Sequence, residues 1–403
     1  YVINYADGIV LSTADGAGSN VDYVFPVILN GGSSSLYSQD GGKTWQLSGG
    51  LIKPDPSLGS DDFFEGGNSE ATILEQDDGT IVMYMRCQMY NNAHFGVAHS
   101  SDHGITWESF SRLSNVYAPN TQPILDRLSD GTPILLWGGN HSMGATSHLR
   151  FPLSLATSDD GGETFWRILD ASEQTYYANR DPKDRYDITN PDIVIFRNHG
   201  VETAYIITKH YTLLIEDFDR YLKETQGVFD SFENRTAEQE GWLVTKGRAN
   251  TGSFGATDGQ SALRILPGSA VTRSIPGVSR GSVTMDLFFD IGAADLKIAF
   301  QPAYNATPEM NALTFFTVDA DGCIHAKGVD GKTADTGLRL TAGNNTVTYR
   351  FDGTSRTATL TVNGKSAEVL FNTDAGDMLC SVILTTGSGS GVCLDRFIVI
   401  PEL

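Results

Sequence analysis

The chain is poor in cysteine, in positive charge and in long apolar runs, and each shortage excludes something. Four cysteines stand in 403 residues, Cys87, Cys323, Cys380 and Cys393. None forms a CxxC pair, so a zinc site is not expected. Cys380 and Cys393 could pair across neighbouring strands or stay as buried free thiols, so cysteine usage does not fix the compartment. Lys and Arg number 28 against 49 Asp and Glu, a formal net charge of -21. Nucleic acid is excluded as a partner, because phosphate binding wants a basic surface. The charge fits a soluble protein that is secreted or lies at the cell surface. No run approaches the roughly 18 apolar residues of a membrane span. No secretory leader stands at Tyr1, so an exported protein would begin here after processing.

What the chain does have is glycine, 43 residues, and 40% hydrophobic residues, enough for sizeable cores. The glycine sits in a repeated turn. Ser38-Gln-Asp40-Gly-Gly42-Lys-Thr44-Trp45, Ser100-Ser-Asp102-His-Gly104-Ile-Thr106-Trp107 and Ser158-Asp-Asp160-Gly-Gly162-Glu-Thr164-Phe165 all read S-x-D-x-G-x-T-(W/F). They recur roughly every 60 residues, as repeated β-units do. An Asp-Gly pair precedes each: Asp15-Gly16, Asp78-Gly79 and Asp130-Gly131. Both residues tolerate positive φ, which suits a tight hairpin. The last two lead into the strand-like runs Thr80–Tyr84 and Thr132–Trp137. A hairpin, more strand and then the S-x-D-x-G turn make one propeller blade. Within the turn, the Asp side chain can accept backbone N–H bonds, the Gly permits a left-handed backbone, and the aromatic can bury itself between strands. These residues are read as structural, neither catalytic nor ligands to a metal.

The repeats end near Tyr221. Residues 213–225 fit either a last strand or a short linking helix. From Gly227 the texture becomes period-2: Ser282–Phe289, Leu296–Phe300, Thr346–Phe351, Thr357–Val362 and Cys393–Ile400, separated by turns such as Asp352-Gly353 and Asn363-Gly364. That is β-sandwich patterning. The expected fold is all-β, with a propeller portion over 1–225 and a sandwich over 226–403. By texture the sandwich resembles the concanavalin or laminin-G type, a lectin-like domain.

One stretch carries chemistry. Glu70 opens a strand, Asp78-Gly79 turns it, and Arg86 closes its partner, so the two side chains return to one rim. The bland reading is a salt bridge. The segment resembles the bacterial Asp-box branch of the sialidase superfamily. The resemblance runs on through Ser100–Trp107, Asn120, Arg150-Phe-Pro-Leu-Ser-Leu-Ala156 and Tyr186-Asp-Ile-Thr-Asn-Pro-Asp192. It covers about residues 8–212. It implies an exo-acting retaining glycosidase that releases sialic acid or a related carboxylated sugar. Arg86 and Arg150 would hold the sugar carboxylate through bidentate bonds. Tyr186 would be the nucleophile and Glu70 its base, a departure from the two-carboxylate scheme. Tyr176 and Tyr177 are alternatives to Tyr186. The family's first arginine and its aspartate acid/base have no match here. Either the N-terminal blades of a six-bladed pattern have been removed, or they lie on a separate N-terminal segment that completes it, or the propeller is a genuinely smaller one. The expected partner is a glycan; no cofactor or metal is expected.

Other residues carry less. His94, His99, His103, His141 and His148 show no metal-ligand spacing and read as rim histidines. Asp181–Arg185 reads as a solvated loop. Trp242, Tyr304 and Phe315 could stack on sugar, though core packing is the simpler reading. The competing functions are a glycosidase of other specificity and a non-catalytic glycan-binding module.

Overall fold

The computed structural model describes residues 2–3, 9–10, 21–29, 32–52, 70–86, 94–108, 110–113, 116, 118, 121–138, 152–171, 190–208, 212–224, 227–233, 236–237, 240–257, 259–290, 295–302, 312–328, 332–372, 377–389 and 391–402. Among these it is all-β apart from the helix Phe218–Glu224. Residues 213–225 thus hold both expected elements, a last strand, Thr212–Ile215, and then that helix. Two compact units emerge. The first comprises Tyr1–Asn140, Leu153–Trp166 and Ile188–Leu222; the second comprises His141–Pro152, Arg167–Asp187 and Lys223–Leu403.

Four antiparallel sheets follow one another along residues 2–215. The first holds Val2–Ile3, Ile9–Val10, Tyr23–Leu29, Gly32–Ser38 and Gln46–Leu47. The second holds Ala71–Glu75, Ile81–Met85, Gly96–Ser100 and Ser111–Arg112. The third holds Ile124–Arg127, Pro133–Gly138, Leu153–Thr157 and Trp166–Asp170, and the fourth Asp192–Asn198, Val201–Ile207 and Thr212–Ile215. The second, third and fourth are up-and-down meanders, whereas in the first Val2–Ile3 and Ile9–Val10 both pair with Tyr23–Leu29. The opening strands of the second, third and fourth sheets neighbour one another, as in successive propeller blades. The Asp-Gly hairpins join first to second strands: Asp78 Oδ1 accepts from Thr80 N at 2.9 Å and Asp130 Oδ1 from Thr132 N at 2.9 Å. Gly79 and Gly131 take φ of 86° and 93°, conformations that cost a side-chain-bearing residue dearly. Asp15-Gly16 lies outside the described residues.

Each S-x-D-x-G turn joins the third strand of its sheet to the fourth. The bonding is local and repeated. The Ser hydroxyl accepts the N–H of the box glycine at 2.8, 2.7 and 2.8 Å for Gly42, Gly104 and Gly162. The Asp accepts the Thr N–H at 2.8, 2.7 and 2.9 Å for Thr44, Thr106 and Thr164. The Thr hydroxyl donates to the other carboxylate oxygen. The aromatic positions differ. Phe165 is buried and meets Tyr84 edge-on at 5.8 Å, and Trp107 is half-buried. Trp45 is 41% exposed, which corrects the expectation that all three bury between strands.

The second unit is built on two sheets. One has Arg280–Phe289, Gly343–Asp352 and Val392–Pro401 at its centre; the other has Ala270–Val278, Leu379–Thr385 and Leu296–Gln301. Inward side chains of both, among them Met285, Tyr349, Phe397, Phe300 and Leu384, form one hydrophobic core. The two sheets thus share one core. The five alternating segments are all strands here because alternate residues meet that core. Cys380 and Cys393 stand on strands of different sheets and are free thiols. Burial raises both, Cys393 to about 11. Cys87 lies outside the described residues.

At the heart of this unit Arg273 is fully buried and takes Asp230 in a two-pronged bond, both contacts at 2.9 Å, and Asp170 at 3.0 Å. Trp242 donates its indole N–H to the same Asp230 at 2.8 Å. Trp242 is therefore a core residue rather than a sugar platform, and Phe315 is buried too. Tyr304 lies outside the described residues.

Candidate functional site

The Ala71–Glu75 and Ile81–Met85 strands pair with Ala71 opposite Met85. One step further out, Arg86 N donates to Glu70 O at 2.9 Å. The side chains follow the backbone: Arg86 Nη1 donates to Glu70 Oε2. The side chains are 14% and 22% exposed, so water still reaches the pair. Glu70 and Arg86 are the two of the four expected site residues that lie among the described ones. Arg150 and Tyr186 lie outside the described residues, as do Tyr176, Tyr177, Asn120, His141, His148 and the Asp181–Arg185 loop.

Topology fixes which end of the sheet this is. The hairpin between first and second strands and the Asp box between third and fourth strands share one end of an antiparallel meander. Glu70 and Arg86 sit at the other. Contacts agree: Gln76, beside the Asp78-Gly79 hairpin, donates to the carbonyl of Gly161 at 3.3 Å and to Glu163 at 2.8 Å. The Asp boxes of the second and third sheets thus stand at the end away from the pair.

Sequence reasoning missed two residues at the pair's own end. Gln122 precedes the opening strand of the third sheet, two residues before the Ile124–Leu136 pair, and is buried. Asp192 opens the fourth sheet opposite Ile207. The signal that finds them is distance from the hairpin. Arg86, Gly138 and Ile207 each stand seven residues beyond the turn glycines Gly79, Gly131 and Gly200. Glu70, Gln122 and Asp192 are therefore matching positions on successive sheets, a polar set at one rim.

The histidines do other work. His94 Nδ1 lies 2.7 Å from Val116 O, and His99 Nε2 lies 3.0 Å from Glu163. His103 is an Asp-box residue with a φ of 59°. Among the described residues no group of three His, Cys, Asp or Glu side chains is placed to hold a metal ion. No helix among them is long and apolar enough to cross a membrane.

Residues 26–206 match the family model described as a BNR repeat-like domain. The three Asp boxes lie inside that stretch. No curated protein matches the chain. Solved structures similar to it include a sialidase, at 15% identity and a TM-score of 0.36 over 98% of this chain and 41% of that one. A Trypanosoma rangeli sialidase in complex with 2,3-difluorosialic acid is 15% identical, with a TM-score of 0.41, over 94% of this chain and 66% of that one. A Bombyx mori GH32 β-fructofuranosidase is 12% identical, with a TM-score of 0.31, over 99% and 79%. The chain spans less than two thirds of the length of the first two.

Proposed function

We propose that the chain acts as an exo-acting, retaining glycoside hydrolase of sialidase type, on a carboxylated sugar of glycans outside the cell. The observation that carries this is the Glu70–Arg86 pair. It closes the open end of a hairpin inside a BNR repeat-like domain, at the end away from the Asp boxes. A guanidinium at a partly open rim is suited to a sugar carboxylate, because its planar N–H fork matches the two oxygens. In this reading Arg86 and Arg150 hold the carboxylate. Tyr186 attacks the anomeric carbon as a neutral phenol that is not repelled by that carboxylate, and Glu70 takes its proton. The glycosidic C–O bond breaks and the aglycone leaves as an alcohol protonated from solvent. Water then attacks the same carbon, the Tyr186–sugar bond breaks and the phenol regains its proton from Glu70. Gln122 and Asp192 add hydrogen-bonding groups for sugar hydroxyls at the same rim. The second unit serves as a glycan-binding module.

The test is turnover of a fluorogenic sialoside by the chain. Release of sialic acid that is lost in Tyr186→Phe and weakened through KM in Arg86→Ala, with the melting temperature of each variant retained, supports the proposal. Turnover of an uncharged glycoside in preference to the sialoside would make the enzyme a glycosidase of other specificity. Binding to glycans without turnover of any would make the protein a recognition module.

A further inference from the structure

On the second unit one aromatic ring stands out of the core. Phe254 is 56% exposed. It lies in the connection between the strands Ala249–Gly252 and Ala262–Ile265. That connection is pinned to its sheet. Gly255 takes a φ of 80°, and a Cβ there would lie 2.6 Å from Cys393 Cβ. Two residues on, Thr257 N donates to Asp395 Oδ2 at 2.6 Å and Thr257 Oγ1 to Asp286 Oδ2 at 3.2 Å. Both aspartates are buried. The ring itself is held as well: Phe288 meets it edge-on at 5.1 Å, and the Arg264 guanidinium lies 5.3 Å from its centroid. A ring fixed in this way is pre-organised, so a partner that stacks on it meets little ordering cost.

Register sets polar groups on either side of the ring. Asn250 pairs with Arg264, Arg264 with Cys393, Cys393 with Phe288, and Phe288 with Asn344. Paired residues of neighbouring strands share a face. It is the face away from the core, because Leu263, Leu394 and Leu287, beside Arg264, Cys393 and Phe288 in their strands, point into the core. Five strands thus carry the row Asn250, Arg264, Cys393, Phe288 and Asn344, with the Phe254 ring touching both Arg264 and Phe288. Asn250, Arg264 and Asn344 are exposed. Among the described residues their side chains make no hydrogen bond and no ion pair.

These are the groups that a sugar uses. An aromatic face takes the C–H face of a sugar ring, amides exchange hydrogen bonds with hydroxyls, and a guanidinium fork matches a carboxylate. A purely apolar partner would leave three polar side chains unanswered. The unpaired guanidinium selects a sugar that carries a carboxylate over a neutral one. Neighbouring strands stand about 4.8 Å apart, so the row is longer than one sugar: Asn250 serves the ring that Arg264 holds, and Asn344 the next.

We infer that the row from Asn250 to Asn344 binds an oligosaccharide that ends in a carboxylated sugar, with that sugar stacked on Phe254 and its carboxylate on Arg264. The assignment rests on the reading of the second unit as a glycan-binding module, and it gives that module a place and a ligand.

Isothermal titration tests this on the chain carrying Arg86→Ala, which takes away the carboxylate site proposed in the first unit. The probes are sialyllactose and tri-galacturonic acid, which separate a sialic from a uronic carboxylate, and neutral lactose. At least one acidic sugar binds, and lactose binds more weakly. Phe254→Ala weakens the acidic sugar about tenfold, Phe254→Trp restores it, and Arg264→Gln weakens it about tenfold while leaving lactose as it was. Melting temperatures hold, because the altered side chains are exposed. Failure of both acidic sugars to bind overturns the inference, as does binding that Phe254→Ala and Arg264→Gln leave unchanged, or an equal loss for lactose in Arg264→Gln. Turnover of the fluorogenic sialoside by the unmutated chain, measured alongside, separates the two readings. Turnover with binding indifferent to Phe254→Ala removes this site and leaves the hydrolase; binding lost in Phe254→Ala without turnover keeps this site and removes the hydrolase.

Discussion

The indole N–H of Trp107 donates to Ser35 Oγ at 2.9 Å, so the second Asp box is bonded to the sheet before its own. Ser35 passes the bond on, donating to Gly104 O at 2.8 Å. One fully buried hydroxyl thus serves a side chain and a carbonyl of the same turn. Gly104 must be glycine twice over: its φ is 83°, and a Cβ there would lie 2.8 Å from Val24 Cγ1. The box is a local turn that also acts as a rivet between sheets. Ser35→Ala keeps the packing but strands a buried donor and a buried acceptor. The expected loss is about 1–3 kcal/mol, read as a shift in the urea midpoint with an unchanged slope.

The boxes also tie stability to pH. Burial works to raise the Asp102 carboxyl, but donation by the Thr106 hydroxyl, the Thr106 N–H and Ser100 outweighs it, and the net shift is downward. Asp160 behaves alike, with burial opposed by Thr164 and Ser158. A carboxyl held below its ordinary 3.8 in the folded chain favours folding above that pH, and the contribution disappears as pH falls through the lowered value. The acid limb of the stability curve should therefore drop steeply below about pH 4. In Asp102→Asn stability should be lower at neutral pH and the acid limb shallower, measured by thermal melts from neutral pH downward. An acid limb as steep as that of the unmutated chain would place the pH sensitivity elsewhere.

Much of this was legible because it is local. Asp, Gly and Ser in fixed order dictate the turn bonds within eight residues, and period-2 segments alternate because one face meets a core. The exposure of Trp45 was not legible, since it depends on a neighbouring sheet rather than on the box. Nor was Ala270–Val278, all nine residues of which are buried, so no alternation marks it. Within it Arg273 reads as a surface residue until Asp170, far away in sequence, arrives beside it. Glu70 and Arg86 were legible as a pair because a hairpin joins them. Gln122 and Asp192 needed the register of three sheets.

Arg273 gives the second unit its sharpest test. Two carboxylates and an indole converge around one guanidinium with no water-exposed surface on the arginine or either aspartate. Arg273→Met leaves Asp170 and Asp230 buried without it. Removing one partner from a buried ion pair costs on the order of 3–5 kcal/mol, and denaturant unfolding followed by Trp242 fluorescence should report that loss. Restoring an apolar environment with Arg273→Met, Asp170→Leu and Asp230→Leu together should recover much of it, because the penalty lies in the stranded charges.

The Glu70–Arg86 pair separates structure from chemistry. If it only clasps a hairpin, Glu70→Gln and Arg86→Ala should both cost stability and leave sugar binding alike. If it belongs to a carboxylate-binding rim, the two must diverge. Arg86→Ala should weaken binding of a carboxylate-bearing sugar by about 2–5 kcal/mol, the range for a desolvated charge pair that loses one partner. It should leave binding of the corresponding uncharged sugar nearly unchanged. Glu70→Gln keeps a hydrogen-bond acceptor for Arg86 and so spares binding, but it cannot accept a proton from a phenol, and kcat should fall while KM holds. Isothermal titration with both sugars and steady-state kinetics on both variants, each checked for its melting temperature, decide the matter. Equal losses for charged and uncharged sugars would leave Arg86 as a hairpin clasp alone.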